Sequence, residues 1–185
     1  MHHAHHPRTL QRPSYQRADR PRPAVVEAAG FDWGASGWAG LGAGAAFILI
    51  QTFNGLVFGG GGATEAVRRL ASVALGEFVV SQGTPFTALV FFAAAAVHIP
   101  LSLVYARVLA AIIHGLDMAY ALDVGAVFGA ALYFVNYHLV SGLFPWFVSA
   151  RGPGALVAHL AFGLLTAWIY TRLTARTRSG QSAGS

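Results

Sequence analysis

Four stretches of this chain contain no Asp, Glu, Lys or Arg: Trp33 to Thr64, Phe78 to Ala106, Val124 to Ala150 and Gly152 to Thr171, of 32, 29, 27 and 20 residues. A helix rises about 1.5 Å per residue, so roughly 20 apolar residues cross a hydrocarbon core of about 30 Å. Each stretch therefore has room for one crossing and none has room for two. One such stretch is compatible with a buried helix of a soluble protein, but four in 185 residues are not. Composition agrees: 55% of the residues are hydrophobic and 10% are charged, against about 25% charged in soluble domains. The sequence predicts an all-α membrane protein, a four-transmembrane-helix bundle.

The charges that remain are segregated. All twelve basic residues are Arg, which together with abundant Ala and Gly is the usage of a GC-rich bacterial genome. Five lie before residue 30 among Pro7, Pro13, Pro21 and Pro23, in a stretch too polar and too broken by Pro to pack a core. Residues 1–32 are read as a disordered cytoplasmic tail. Its start, Met1-His2-His3-Ala4-His5-His6, is of a type that binds metals, although a flexible tail without fixed structure accounts for it. No short apolar run with a cleavage site opens the chain, so the first helix is expected to stay in the mature protein.

The transmembrane domain spans 33–173, with crossings at about 37–58, 86–109, 124–144 and 155–172 and a second tail over 174–185. Between the first two crossings, Val67, Leu70, Ala71, Ala74 and Phe78 follow helical spacing opposite Glu65, Arg68, Arg69 and Ser72, which predicts an interfacial helix over 64–77. With the N-terminus in the cytoplasm, nine of the twelve Arg lie inside and only Arg68, Arg69 and Arg151 face out. The positive-inside rule selects that orientation and places the chain in the bacterial inner membrane. The same distribution excludes a nucleic-acid partner, because these Arg set topology instead of tracking phosphates.

The two halves resemble each other. Gly44-Ala45-Ala46-Phe47 with Gln51 aligns with Gly129-Ala130-Ala131-Leu132 with Asn136, and His98 with Tyr105 and Arg107 aligns with His159, Tyr170 and Arg172. A tandem two-helix repeat of this kind relates its halves by an axis along the membrane normal. Gly40-x3-Gly44 and Gly125-x3-Gly129 offer small faces for close helix packing in both odd-numbered crossings.

Polar residues inside lipid usually face a bundle interior, because an unsatisfied polar group in hydrocarbon is costly. The candidates are His98, His138 and His159, with Gln51, Asn54, Tyr105 and Asn136 as polar lining. His98 shares a helix stripe with Ser102 and Tyr105, and His159 shares one with Gly163, Thr166 and Tyr170. Asn136 and His138 are about 200° apart on one helix, so both cannot point squarely into one core. Three readings stay open for the histidines: hydrogen-bonded packing between helices, a haem or transition-metal site ligated by His98, His159 and His138, and a proton or solute path in a small oligomeric transporter. The repeat puts His98 and His159 opposite each other, with His138 as a third member.

The absence of Cys excludes thiolate metal sites and covalent haem attachment. No carboxylate lies inside the membrane to pair with a His, which counts against hydrolytic, di-iron and ion-coupled chemistry. Gly59 to Gly62 lacks the Lys-Ser/Thr pair of a phosphate loop. The sequence reads as non-enzymatic, an accessory or stress-related membrane protein with the lipid bilayer as its surroundings and a homo-oligomer or a larger membrane complex as its assembly.

Asn136-Tyr137-His138, Phe144-Pro145-Trp146-Phe147 and Val157-Ala158-His159-Leu160-Ala161-Phe162-Gly163 together resemble small bacterial inner-membrane proteins of the YagU-like kind, over the last half of the chain. That resemblance implies a role in acid tolerance. Similar chains are sometimes labelled sodium:proline symporters, an architecture much larger than four crossings without a buried carboxylate.

The topology is testable by cysteine labelling at Ser72 and Ser182. Ser182→Cys should stay unlabelled by an impermeant reagent in intact cells and become labelled after permeabilisation; labelling in intact cells would overturn the orientation.

Overall fold

The computed structural model describes residues 30–58, 64–81 and 84–182, with side chains to 176. Residues 1–29, with the His tract and most of the expected N-terminal tail, lie outside the described residues. Among the described residues there is no strand, and four helices are long and apolar enough to cross a membrane. These are α1 (Trp33–Val57), α3 (Ala88–Ile113), α4 (Met118–Phe134) with the turns that continue it, and α5 (Pro153–Ser182). A shorter helix, α2 (Glu65–Leu75), follows α1.

Side-chain caps set the starts of α1, α3 and α4. Asp32 accepts from Ala35 N at 2.8 Å and begins α1 four residues before the expected 37. Thr87 caps α3, and Asp117 caps α4 by accepting from the amides of Ala119 and Tyr120. α4 therefore begins at Met118, six residues before the expected 124, with Asp123 exposed within it. A charged residue ends the apolar stretch without ending the helix, because a carboxylate on the water side costs nothing there. At the other end of the chain the expected tail over 174–185 is helical through Ser182, since no Pro interrupts the run after Pro153. The turn between α3 and α4 uses Gly115 at φ +85°, a conformation that side chains with a Cβ resist.

α1 packs between α3 and α5, and α5 packs between α1 and α4, while α3 and α4 pack little against each other despite their short connection. The reason is visible in the glycines. A Cβ on Gly40 would meet Ala106 Cβ at 2.9 Å and Ser102 O at 3.0 Å; one on Gly125 would meet Ala167 Cβ at 2.9 Å and Gly163 O at 2.7 Å. One helical turn further on, a Cβ on Gly44 would strike Ser102 Oγ and His98 Nε2, and one on Gly129 would strike the backbone of His159 and Leu160. The two hairpins thus share one register, in which Gly40, Gly44, His98, Ser102 and Ala106 correspond to Gly125, Gly129, His159, Gly163 and Ala167. In this register Tyr105 corresponds to Thr166, and Tyr170 to Leu109. The Tyr and Arg part of the sequence alignment is therefore not equivalent in space.

Among the described residues three buried clusters result. Ala35, Ala39, Leu109, Ile113, Ala121 and Tyr170 close the end that carries Trp33 and Arg107; Ala43, Leu132 and Phe162 fill the middle; Ala71, Val79, Val90 and Ala94 join α2 to α3. Outside them lies a coat of exposed apolar side chains, among them Leu49, Phe53, Phe92, Val127 and Leu139, which in water would be an untenable surface and in lipid is the natural one.

α2 is amphipathic but is not simply laid on the surface. Val67, Leu70 and Ala71 pack inward, whereas Ala74 and Phe78, expected on the apolar face, are exposed. Ser72, expected on the polar face, is fully buried and accepts a hydrogen bond from Trp146 Nε1 at 2.8 Å. The second contact surface, from the segment Pro145–Ala150 after α4, rotates the helix away from the face that a flat membrane would have chosen. Exposed Ser81 is consequently a better labelling position than Ser72 for the outer side.

Gly129→Ala should destabilise the bundle by about 1 to 3 kcal/mol, because the new methyl meets backbone, which cannot swing aside. Gly37→Ala, with open space around it, should be neutral or slightly stabilising. Unfolding in mixed micelles measures both; equal effects would mean that α4 and α5 are not in backbone contact.

Candidate functional site

The polar residues gather at the level where the two glycine pairs bring each hairpin together. His98 hangs from α3 into the seam with α1. Its Nε2 donates to the carbonyl of Gly44 at 2.9 Å, with Ser102 Oγ nearby at 3.4 Å. Gly44 has no Cβ of its own to hold the imidazole away, since one there would strike Ser102 and His98, so the small-residue face and the histidine form one device.

His159 on α5 is buried, with 3% of its surface accessible. Its Nδ1 donates to Ala155 O at 2.7 Å, one turn back on its own helix, which leaves Nε2 with a lone pair. Asn136 Nδ2 donates to that lone pair at 3.2 Å, and Asn136 Oδ1 accepts from Tyr105 OH at 3.2 Å. The chain Tyr105, Asn136, His159, Ala155 O crosses from α3 through the end of α4 to α5 with every donor and acceptor direction determined.

Phe47 lies between the imidazoles. Its ring stacks on His98 at 5.7 Å and meets His159 edge-on at 4.9 Å. Both histidines, Tyr105, Asn136 and Leu70 of α2 line a cavity of about 70 Å³.

Asn136 reaches this cavity because α4 changes its winding. Val135–Leu139 is a π turn, whose wider spacing lets consecutive Asn136 and Tyr137 both be used inside the bundle. Tyr137 OH accepts from Gln51 Nε2 of α1 at 3.3 Å. The altered winding leaves the Tyr137 carbonyl to other donors, and Arg151 Nε at 2.7 Å and Ser141 Oγ at 2.9 Å supply them. Arg151 also donates to Ser141 Oγ at 2.8 Å, so the return from α4 to α5 is fastened to the π turn.

His138 is not part of this group. It is exposed, with its ring against Phe134 at 5.3 Å and edge-on to Tyr133 at 5.7 Å. The angular conflict with Asn136 is resolved by sending His138 to the outside. Asn54 is also elsewhere, donating to Gly154 O at 2.8 Å and tying the end of α1 to the start of α5. At the opposite end of the bundle His114 Nδ1 meets Tyr170 OH at 2.9 Å. Ser102, expected on the stripe of His98, is at the site, and Tyr137 supports it; Phe47 and Arg151 belong to the site or its supports without having been candidates in the sequence. Phe47 had one signal, its place beside Gly44 in the repeated segment.

The arrangement does not suit a haem or a metal ion. The lone pair of His159 Nε2 is occupied by Asn136, and Phe47 fills the space between the imidazoles. The cavity is well below the 300 Å³ or so at which small-molecule pockets begin. Among the described residues no group of three His, Cys, Asp or Glu is placed to share a metal ion.

No family model matches the chain, and comparisons with curated proteins and with solved structures likewise give no match.

His159→Leu removes a residue that joins three helices and should lower stability by about 1 kcal/mol, the scale of an interhelical hydrogen bond. His138→Leu on the lipid-facing surface should change it by less than about 0.5 kcal/mol. Equal losses, read by unfolding in micelles, would remove the distinction between the two positions.

Proposed function

We propose that this chain is a multi-pass protein of the bacterial inner membrane, with both termini cytoplasmic, in which the buried His/Tyr/amide network locks the helices together. It acts as an accessory or stress-related membrane component and not as an enzyme, a haem or metal carrier, or a transporter. The observation that carries this reading is how the polar bonds are distributed. His98 joins α3 to α1, Gln51 joins α1 to Tyr137 after α4, and Asn136 joins α3 to α5, so each bond crosses between helices. The longest run ends on a backbone carbonyl, Ala155 O, which cannot take up and pass on a proton. The nine Arg on one side of the four crossings support the orientation. The resemblance of the last half of the chain to YagU-like proteins makes acid stress the physiological setting to try first.

One observation favours a second reading, a proton path. Thr166 carries the buried side-chain oxygen without a hydrogen-bond partner among the described residues, and it sits between His159 and Tyr170 on the buried stripe of α5. A free hydroxyl there is a place where a relay between the central network and the His114–Tyr170 pair would run.

Purified protein should show no Soret band and no stoichiometric transition metal, and His98→Ala and His159→Ala should each lower stability by ~1 kcal/mol without altering absorbance. A Soret band or bound metal lost on either substitution would establish the ligand reading instead. Proteoliposomes loaded with a pH-sensitive dye decide the second reading: proton flux abolished by Thr166→Val would put the path in place of the lock.

A further inference from the structure

At the end of the bundle away from Trp33 and Arg107, the last turns of α1 and the first turn of α5 form the walls of a groove of about 670 Å³. Its size falls among those of small-molecule sites, about 300 to 1,000 Å³. The two ends differ in chemistry. One wall is apolar, with Phe53, Phe58 and Val157, all more than half exposed toward what would be lipid. The head is polar and carries Arg69, Arg151 and Glu65.

Both guanidinium groups are held in place. Arg69 pairs with Glu65 at 2.9 Å and donates to Ser149 Oγ at 3.3 Å. Arg151 is anchored on Tyr137 O and Ser141 Oγ while its side chain remains exposed. Two cations stand against one carboxylate, so the head of the groove keeps a net positive charge. A positive head above an apolar trough that opens sideways into hydrocarbon complements an amphiphile with an anionic head. A soluble anion would use the head and leave the trough unfilled.

We propose that this groove binds one anionic phospholipid, its phosphate on Arg69 and Arg151 and an acyl chain along Phe53 and Val157. The proposal rests on the chain's spanning the membrane and is independent of what the buried histidines do. Bidentate guanidinium contacts to a phosphate are strong and directional, and prepositioned Arg side chains lose little freedom on forming them.

The test uses the full chain in nanodiscs of equal parts phosphatidylglycerol and phosphatidylcholine, with native mass spectrometry of the released protein. One phosphatidylglycerol should be retained in preference to phosphatidylcholine. Arg69→Gln should cut the preference about tenfold, the loss of one charge-assisted contact. Val157→Trp, at a half-exposed position that leaves every charge intact, should displace the lipid while the melting temperature stays at the wild-type value. Added inorganic phosphate should leave the lipid bound. Retention that follows bulk composition, retention unaffected by Val157→Trp, or displacement by phosphate would each overturn the proposal, the last two in favour of a simple surface anion site.

Discussion

Apolar side chains gain nothing by turning from lipid toward one another, so helices in hydrocarbon hold together where their backbones can approach and their polar groups can meet. In this chain the approach is made by Gly40 and Gly44 against α3 and by Gly125, Gly129 and Gly163 between α4 and α5. The rest of the bundle depends on these contacts. They fix the register that sets His98 against the carbonyl of Gly44 and brings His159 within reach of Asn136. Shifting a hairpin's register by one residue would turn its imidazole about 100° away, and the polar groups there would be left unsatisfied in a medium that offers no substitute.

The repeated register does not make the two halves interchangeable. α1 lies along α5, but the corresponding approach of α4 to α3 is far slighter. α2 and the segment Pro145–Ala150 occupy the outer part of that space, joined through Trp146, Ser72, Arg69 and Ser149. Local chemistry has diverged with the packing. The half containing Phe47 places an aromatic ring between the histidines, while the equivalent Leu132 lines the same cavity as plain filling. Asymmetry of this sort lets one duplicated unit keep its glycine seam while building a polar centre at one place only.

The π turn at Val135–Leu139 is the sharpest departure from regular helix, and its cost is visible in the donors assembled around it. A wider turn weakens the regular ladder, and the carbonyl of Tyr137 is met by Arg151 and Ser141 together. In return Asn136 and Tyr137, adjacent in sequence, bond to α5 and α3 on one side and to α1 on the other. The charged return loop thus serves a buried purpose, and the same Arg151 that supports the turn stands at the head of the outer groove.

Much of this was legible in the residues. The four charge-free stretches required four crossings, because a charge inside hydrocarbon costs more than a helix of this size can recover. The G-x3-G pairs marked the faces of closest packing, and the repeated segments marked His98 and His159 as related positions. The angle between Asn136 and His138 showed that one must leave the core, since helix geometry is local and periodic. It could not say which one, because that depends on a change of winding which only the partners of Tyr137 make affordable. Nor could the periodicity of α2 reveal that Ser72 is buried, since Trp146, 74 positions away, supplies its hydrogen bond. The sequence by itself determined the number of crossings, the residue types that had to be satisfied inside them and the seams at which backbones meet, because the solvent acts on each segment separately. Only the tertiary structure decided which polar group answers which, since a hydrogen bond needs both partners within about 3 Å and that distance exists only once the helices have packed.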